Sequence, residues 1–362
     1  MPDLPLSVWV AAGAAVVYFI FFSIAWSNYR SLASLQARKG SAETEISEAD
    51  CMVVIPARNE EMNIARAVTS LPHDTVIVVD DHSEDRTAEV ARKAGAGVLP
   101  APPLPRNGFG KANACAAGVR PLTSRWVLFA DADTHFEPGF LSAAVADAEA
   151  KGLSLVSYHL DPEYRTFAEN VLIPYARALV FCGANPKGHF SALFTGHCLL
   201  ARREAYNFLG THIAIVTHLV EDVKLPALAE RHRLKMAIAR APGWGTRRMY
   251  AGFRGIYRGI ERHAFRFMVV SSMIGILILL VAFWAALWLP LLAWLCWDRQ
   301  WIAAGIFALL PMMALRPWYP NWLRALFAPL AIYGLLPALL RGLTSAIRGK
   351  AIVWKGRTVR AV

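Results

Sequence analysis

The chain has 362 residues, enough for one large domain or two modest ones, and 56% of them are hydrophobic. With a mean hydropathy of +0.35, that is too apolar for an ordinary soluble protein and puts a membrane among the partners. The formal net charge of +11 is concentrated beside apolar segments, from Arg231 to Arg266 and from Arg341 to Arg360, with no aromatic and basic nucleic-acid motif, which argues against nucleic acid.

In chain order, residues 7–26 (SVWVAAGAAVVYFIFFSIAW) are uncharged over roughly the 20 residues that cross a bilayer. No positive segment precedes them and no clean cleavage site comes after, so a retained anchor is expected rather than a cleaved signal. Arg30, Arg38 and Lys39 come next, and the positive-inside rule places the domain beyond them in the cytoplasm.

Residues 50–245 read as an α/β domain. Met52–Pro56 and Thr75–Asp81 are short β-branched runs, separated by a stretch with apolar residues at helical spacing. A helix over Glu84–Ala94, the short run GVLP, a loop rich in proline and glycine, and a helix over Lys111–Val119 lead to VLFADADT (Val127–Thr134). This alternation builds a mostly parallel sheet covered on both faces, whose ligands bind beyond the carboxyl ends of the strands. Three strands end there in polar chemistry: PARNEE (Pro56–Glu61), DDHS (Asp80–Ser83) and DAD (Asp131–Asp133). On a strand, residues two apart share a side, so Asp131 and Asp133 are expected to converge on one hard divalent cation, Mg²⁺ or Mn²⁺.

Further along, Arg254, Arg258, Arg262 and Arg266 repeat every four residues while Tyr250, Phe253, Ile256, Tyr257, Ile260 and Phe265 recur at helical spacing. That is the pattern of a basic amphipathic helix lying in a headgroup region. Leu172–Phe181 suggests a second interfacial helix. Apolar runs over Phe267–Trp297, Trp301–Leu315 and Leu326–Leu340 suggest about three membrane segments, interrupted by prolines. Three full crossings would place the basic tail outside, against the charge rule. The five cysteines lie far apart without metal or disulfide spacing and are expected to be reduced.

VVIPARNEE, DDHS, GKANAC, DADT, TGHCLLARREAY and VEDVKL stand in the order and spacing of family 2 glycosyltransferases, which the chain resembles over roughly residues 50–265. RRMYAGF, the GTH before VEDV and WKGR after the last apolar run resemble a membrane-anchored lipid glycosyltransferase branch. That branch includes diaponeurosporenoate glycosyltransferases and hopene-associated and ceramide glucosyltransferase-like proteins. The resemblance implies a GT-A nucleotide-diphospho-sugar transferase fold, a Rossmann-like mostly parallel sheet, flanked by N- and C-terminal transmembrane helices. The expected layout is an anchor over 1–30, a linker over 31–49, a GT-A catalytic domain over 50–246 and an amphipathic interfacial helix over 247–266. About three membrane segments over 267–341 and a basic tail over 342–362 complete it.

By resemblance, Pro56, Ala57, Arg58, Glu60, Asp80, Asp81, Lys111 and Asp131 hold the donor, a UDP-sugar, and Asp131 and Asp133 hold the metal. Asp222 of VEDV is the base, since an inverting displacement needs one carboxylate near the attacking oxygen. Where polymerising members carry QxxRW, only an arginine, Arg262, stands here, and it is expected to stabilise the leaving diphosphate. The absent glutamine and tryptophan favour transfer of a single sugar to a membrane lipid of isoprenoid, hopanoid, sphingolipid or glycolipid type. Expected partners are thus a UDP-sugar, a lipid acceptor and the cell (inner) membrane, crossed several times, with the catalytic domain cytoplasmic. A polyprenyl-phosphate or polysaccharide-type enzyme of the same family, or an inactive nucleotide-sugar-binding membrane protein, remains the alternative. His197 and His212 receive no role.

Overall fold

The computed structural model describes residues 4–35, 50–182, 194–218, 221–270, 272–350, 352–354 and 357–359. Most of the expected linker, and residues 351, 355–356 and 360–362 of the basic tail, lie outside the described residues.

The elements run α1 (Leu6–Ser31), β1 (Ala33–Ser34), β2 (Cys51–Ala57), α2 (Ile64–Thr69), β3 (Val76–Asp80), α3 (Thr87–Lys93), β4 (Gly97–Pro100) and α4 (Gly110–Val119). Next come β5 (Trp126–Ala130), β6 (Thr134–Phe136), α5 (Phe140–Ala150), β7 (Leu155–His159), β8 (Asp161–Pro162) and α6 (Phe167–Cys182). After these stand β9 (Cys198–Arg202), α7 (Arg203–Phe208), α8 (Glu221–Arg231), β10 (Met236–Arg240) and β11 (Gly245–Arg247). The remainder is α9 (Gly252–Val270), α10 (Ser272–Ala286), α11 (Trp288–Trp297), α12 (Trp301–Leu315), α13 (Trp322–Ala325), α14 (Ala328–Ile347), β12 (Ile352–Trp354) and β13 (Arg357–Val359). They divide into two compact units.

The first unit holds β1 to β11 with α2–α5, α7 and α8. Its eight-stranded sheet has the order β1-β10-β7-β9-β5-β2-β3-β4, with β9 antiparallel to both neighbours and every other pairing parallel. Strands buried on both faces read as continuous apolar runs, and β5 (WVLFA) is buried at all five positions. Helix α4 (GKANACAAGV) lies close on the sheet because its residues are small: a Cβ on Gly118 would fall 2.5 Å from Val54 Cγ1 and 2.9 Å from Val79 Cγ2. A second sheet, β6-β11-β8, has β11 antiparallel to β6 and parallel to β8.

The chain lays down β2, β3 and β4 in one direction across the sheet and then places β5 on the other side of β2. That reversal is a topological switch point, where the loops leaving two neighbouring parallel strands splay apart and open a crevice at their carboxyl ends. It lies between the loop after β2, carrying Arg58 and Glu60, and the loop after β5, carrying Asp131 and Asp133.

The second unit holds α1, α6, α9 to α14 and the β12-β13 pair. Four helical stretches are long and apolar enough to cross a membrane: Leu6–Ser31, Ile276–Trp297, Trp301–Trp318 and Ala328–Ile347. Their outer faces expose Trp9, Ile20, Phe283, Ile302 and Ile306. The helix expected over 247–266 runs over Gly252–Val270, with apolar and basic residues on opposite faces. Helix α6 packs on α1 within this unit, where Asn28 Nδ2 donates to the Phe181 carbonyl at 3.0 Å and the Tyr18 and Tyr175 hydroxyls meet at 3.3 Å. All five cysteines are free thiols.

Candidate active site

The loops after β2 and β3 are knitted to each other. Arg58 Nη1 donates to the carbonyl oxygens of Asp81 (2.9 Å) and His82 (3.2 Å). Asn59 N donates to Ser83 Oγ at 3.0 Å, and Asn59 Oδ1 accepts from Glu84 N at 2.8 Å. Both Asn59 (φ 52°) and His82 (φ 56°) adopt the left-handed conformation, which asparagine and histidine tolerate better than most residues and which persists where surrounding bonds over-determine it. Asp80 Oδ1 accepts from Ser83 N at 3.3 Å, Glu60 N donates to Thr87 Oγ1 at 2.7 Å, and Asp81 is buried. These loops form a rigid rim rather than a set of side chains reaching into solvent. Pro56 and Ala57 close β2 beneath it.

The acidic pair is not on a strand. β5 ends at Ala130, and Asp131–Thr134 is a turn closed by Thr134 N donating to the Asp131 carbonyl at 3.1 Å. The expected alternation of side chains along a strand is therefore not what brings Asp131 and Asp133 together. A guanidinium does: Arg247 Nη2 lies 2.9 Å from Asp131 Oδ2, and Arg247 Nε lies 3.1 Å from Asp133 Oδ1. Arg247 reaches them because the antiparallel pairing of β11 with β6 sets it opposite Thr134, the residue after Asp133. The sequence alone gives Arg247 no role, since RRMYAGF serves there only as a mark of resemblance.

A second cation completes the cluster. Lys111, in the first turn of α4, places Nζ 2.6 Å from Asp131 Oδ1, 3.1 Å from the Gly196 carbonyl oxygen and 3.8 Å from Glu221 Oε1. Because β9 runs antiparallel to β5, its entry loop arrives at the carboxyl end of β5, where Asp131 N donates to the His197 carbonyl at 3.1 Å. A Cβ on Gly196 would lie 3.2 Å from Lys111 Nζ and 3.5 Å from Asp222 Cβ. Glycine at this point lets the ammonium and the first turn of α8, with Glu221 and Asp222, approach one another.

The electrostatics result from this packing. Burial opposes the charge of Lys111, but the carboxylates of Asp131 and Glu221 outweigh it and lift its pKa above the usual lysine range. Burial likewise opposes ionisation of Asp131, yet Lys111 and Arg247 hold its carboxyl well below the usual carboxylate range. Asp133 is raised by burial, with the charges of Asp131 and Glu60 adding to that, in spite of Arg247. Two carboxylates two residues apart thus differ in proton affinity, and Asp131 is the one firmly ionised.

His197 and His212 are both buried. His197 is held well below the usual histidine pKa by burial, Arg247 and His159, and its Nδ1 has no hydrogen-bond partner among the described residues. For His212, burial and Lys111 lower the pKa to about 3. The Tyr206 hydroxyl accepts from His212 N at 2.9 Å and lies 2.7 Å from His212 Nδ1. The two contacts to one buried hydroxyl hold both the backbone and the ring of His212 in place. Its place is structural.

The arrangement suits a hard divalent cation with an anionic ligand. Asp131 and Asp133 already share one cation, but no cluster of three or more His, Cys, Asp or Glu side chains occurs among the described residues. Two protein carboxylates leave most of an oxygen shell to phosphates and water, the habit of Mg²⁺ and Mn²⁺ at diphosphates. Asp131, Asp133, Lys111, Glu221 and Asp222 are brought together; Arg58 is turned onto backbone; Arg262 stands on α9, in the other unit.

Residues 52–210 match the family model for glycosyl transferase family 2. The chain is 29% identical over 255 residues to a 4,4'-diaponeurosporenoate glycosyltransferase of Staphylococcus haemolyticus, covering 65% of each chain. It is 27% identical over 224 residues to the protein of that name from Staphylococcus aureus strain USA300, covering 58% of this chain and 60% of that one. The match thus spans somewhat less than two thirds of the length of these relatives. Among solved structures, a mannosyltransferase of Pyrobaculum calidifontis in complex with GDP-Man and Mn²⁺ superposes with a TM-score of 0.56 at 17% identity, over 92% of this chain and 99% of that one. Residues 52–210 are thus similar to glycosyl transferase family 2, and the chain has the GT-A fold of its structural neighbour.

Proposed function

We propose that the protein is an inverting, metal-dependent glycosyltransferase that moves one sugar from a UDP-sugar to a membrane lipid at the cytoplasmic face of the inner membrane. The observation that carries this reading is the meeting of Asp131, Asp133, Lys111 and the start of α8 at the switch point of the sheet. There, fixed cations and metal-type carboxylates stand where a nucleoside diphosphate binds in such folds. The knitted rim of Arg58, Asp80 and Asp81 borders the nucleoside. A divalent cation held by Asp131 and Asp133 supplies charge neutralisation at the diphosphate when bound. Lys111 provides a point charge beside it, aimed at the negative charge that develops as the sugar leaves. Asp222 takes the acceptor proton, and Arg262 serves the leaving diphosphate.

The acceptor class is supported by four apolar helices with exposed apolar faces. An apolar cleft between α6, α9, α10 and α14, lined by Leu179, Ile260, His263, Leu335 and Leu339, lies in the same unit as these helices. The relatives named for diaponeurosporenoate act on an acceptor named as a carboxylate, which suits a lipid with one polar end. The test is incubation of purified protein with UDP- and GDP-sugars, Mg²⁺ or Mn²⁺ and total membrane lipid, and then mass analysis. A hexose increment on one lipid class with UDP-sugar is the expected result. No increment and no release of nucleoside diphosphate with any donor would leave only the inactive binding protein.

A further inference from the structure

The space between Asp131 and Asp133 holds a cation that belongs to the chain. We propose that Arg247 is the resident counter-cation of this pair, competing with the divalent cation until a nucleoside diphosphate takes over the guanidinium. The inference rests on the reading of Asp131 and Asp133 as metal ligands.

The geometry is specific. One fork edge of the guanidinium spans both carboxylates, Nη2 at 2.9 Å from Asp131 Oδ2 and Nε at 3.1 Å from Asp133 Oδ1. Lys111 occupies the other oxygen of Asp131 at 2.6 Å. The side chains of Arg247, Asp131 and Asp133 are only 17%, 19% and 17% exposed, so these charges are poorly screened. A divalent cation held by both carboxylates would need the gap that the guanidinium now fills, and two cations there would repel each other.

Backbone pairing fixes how the exchange occurs. Arg247 is in register with Thr134 on β6 and with Pro162 on β8, and Arg248 N donates to the Asp133 carbonyl at 3.2 Å. The strand stays while the side chain turns. A diphosphate carried in with the metal offers the displaced guanidinium a new fork of oxygens, the geometry arginine matches best. Metal and nucleotide therefore bind with positive coupling, each removing the obstacle to the other. The guanidinium keeps the buried acidic pair neutralised between turnovers and discourages metal without nucleotide.

The experiment is Mn²⁺ binding to the full chain in detergent micelles, read by electron paramagnetic resonance with and without UDP. Without UDP, Arg247→Met is expected to bind Mn²⁺ about tenfold tighter than wild type, and Arg247→Lys to fall between them. UDP should strengthen Mn²⁺ binding strongly in wild type and much less in Arg247→Met. If Arg247→Met binds Mn²⁺ no tighter than wild type while Asp133→Ala loses binding, the counter-cation role is overturned and the metal reading stands. If Asp133→Ala binds Mn²⁺ as wild type does, the metal reading falls and this inference falls with it. Thermal unfolding in the same micelles verifies each fold, and Arg247→Lys carries the comparison should Arg247→Met not fold.

Discussion

Lys111 Nζ stands 2.6 Å from Asp131 Oδ1, so that one ammonium, at the start of α4, faces a carboxylate at the end of β5. Twenty residues separate them in sequence, and a tight helix on the sheet closes the distance. Replacing Lys111 with Met removes one of two cations that hold Asp131 ionised. Leaving a buried charged group short of a partner costs about 1–3 kcal/mol, so UDP affinity measured by calorimetry should fall by about fivefold to 150-fold. Unchanged affinity would remove Lys111 from the donor site.

Asp222 gives a prediction that depends on acceptor chemistry. With a hydroxyl acceptor, Asp222→Asn should lower the transfer rate by about 10²–10⁴, the usual contribution of a positioned base, while UDP affinity stays as in wild type. With a carboxylic acid acceptor, already ionised near neutral pH, the loss should be far smaller. Radiolabelled transfer with paired acceptors distinguishes the two, and full activity on a hydroxyl lipid would refute the assignment.

Gly196 should tolerate little. The Cβ of Gly196→Ala meets Lys111 Nζ at 3.2 Å, the far end of a flexible chain, so the protein should fold and the lysine should shift by a few tenths of an ångström. The expected penalty is about 1 kcal/mol in UDP binding, roughly fivefold, with Gly196→Val worse. A donor affinity indifferent to both substitutions would mean that the lysine position is not tuned.

Stability should decline on mild acidification through His212. Its pKa is lowered to about 3 in the folded protein, against about 6.5 in an unfolded chain. The unfolded state therefore takes up the proton first as pH falls. The contribution of neutral His212 is complete above about pH 6.5 and is lost progressively below it, by about 2 kcal/mol at pH 5. Thermal unfolding from pH 7.5 to 5 should show this slope, and His212→Asn should flatten it while losing the Tyr206 bond. An identical slope in the variant would place the acid sensitivity elsewhere.

Much of the candidate site's edge of the sheet is legible in the sequence because it obeys a local rule. Successive parallel strands joined by helices present their ends at one edge, so PARNEE, DDHS and DAD must gather there. Arg247 escapes such reasoning: its place depends on the β6-β11 register, and nothing in the spacing of Arg247 and Arg248 says which turn they face. Arg58 escapes it in the opposite sense. A charged residue at a ligand edge suggests a ligand, whereas its guanidinium bonds the carbonyls of the neighbouring loop. The apolar helices are legible by composition, but the end of the amphipathic helix is not, because neither glycine nor proline stands between Gly259 and Gly275. Helix α9 accordingly runs on past Arg266 into the apolar run.

The antiparallel β9 strand sets an order of events on the ribosome. β5 is flanked by β2, made earlier, and by β9, made later, with β6, α5, β7, β8 and α6 synthesised in between. During that interval one edge of a wholly apolar strand lacks its native neighbour. Arg247 emerges later still, 116 residues after Asp131. The nascent chain therefore holds the acidic turn for a period without the guanidinium that will neutralise it, and the crevice acquires its final charge balance only near the end of the sheet's synthesis.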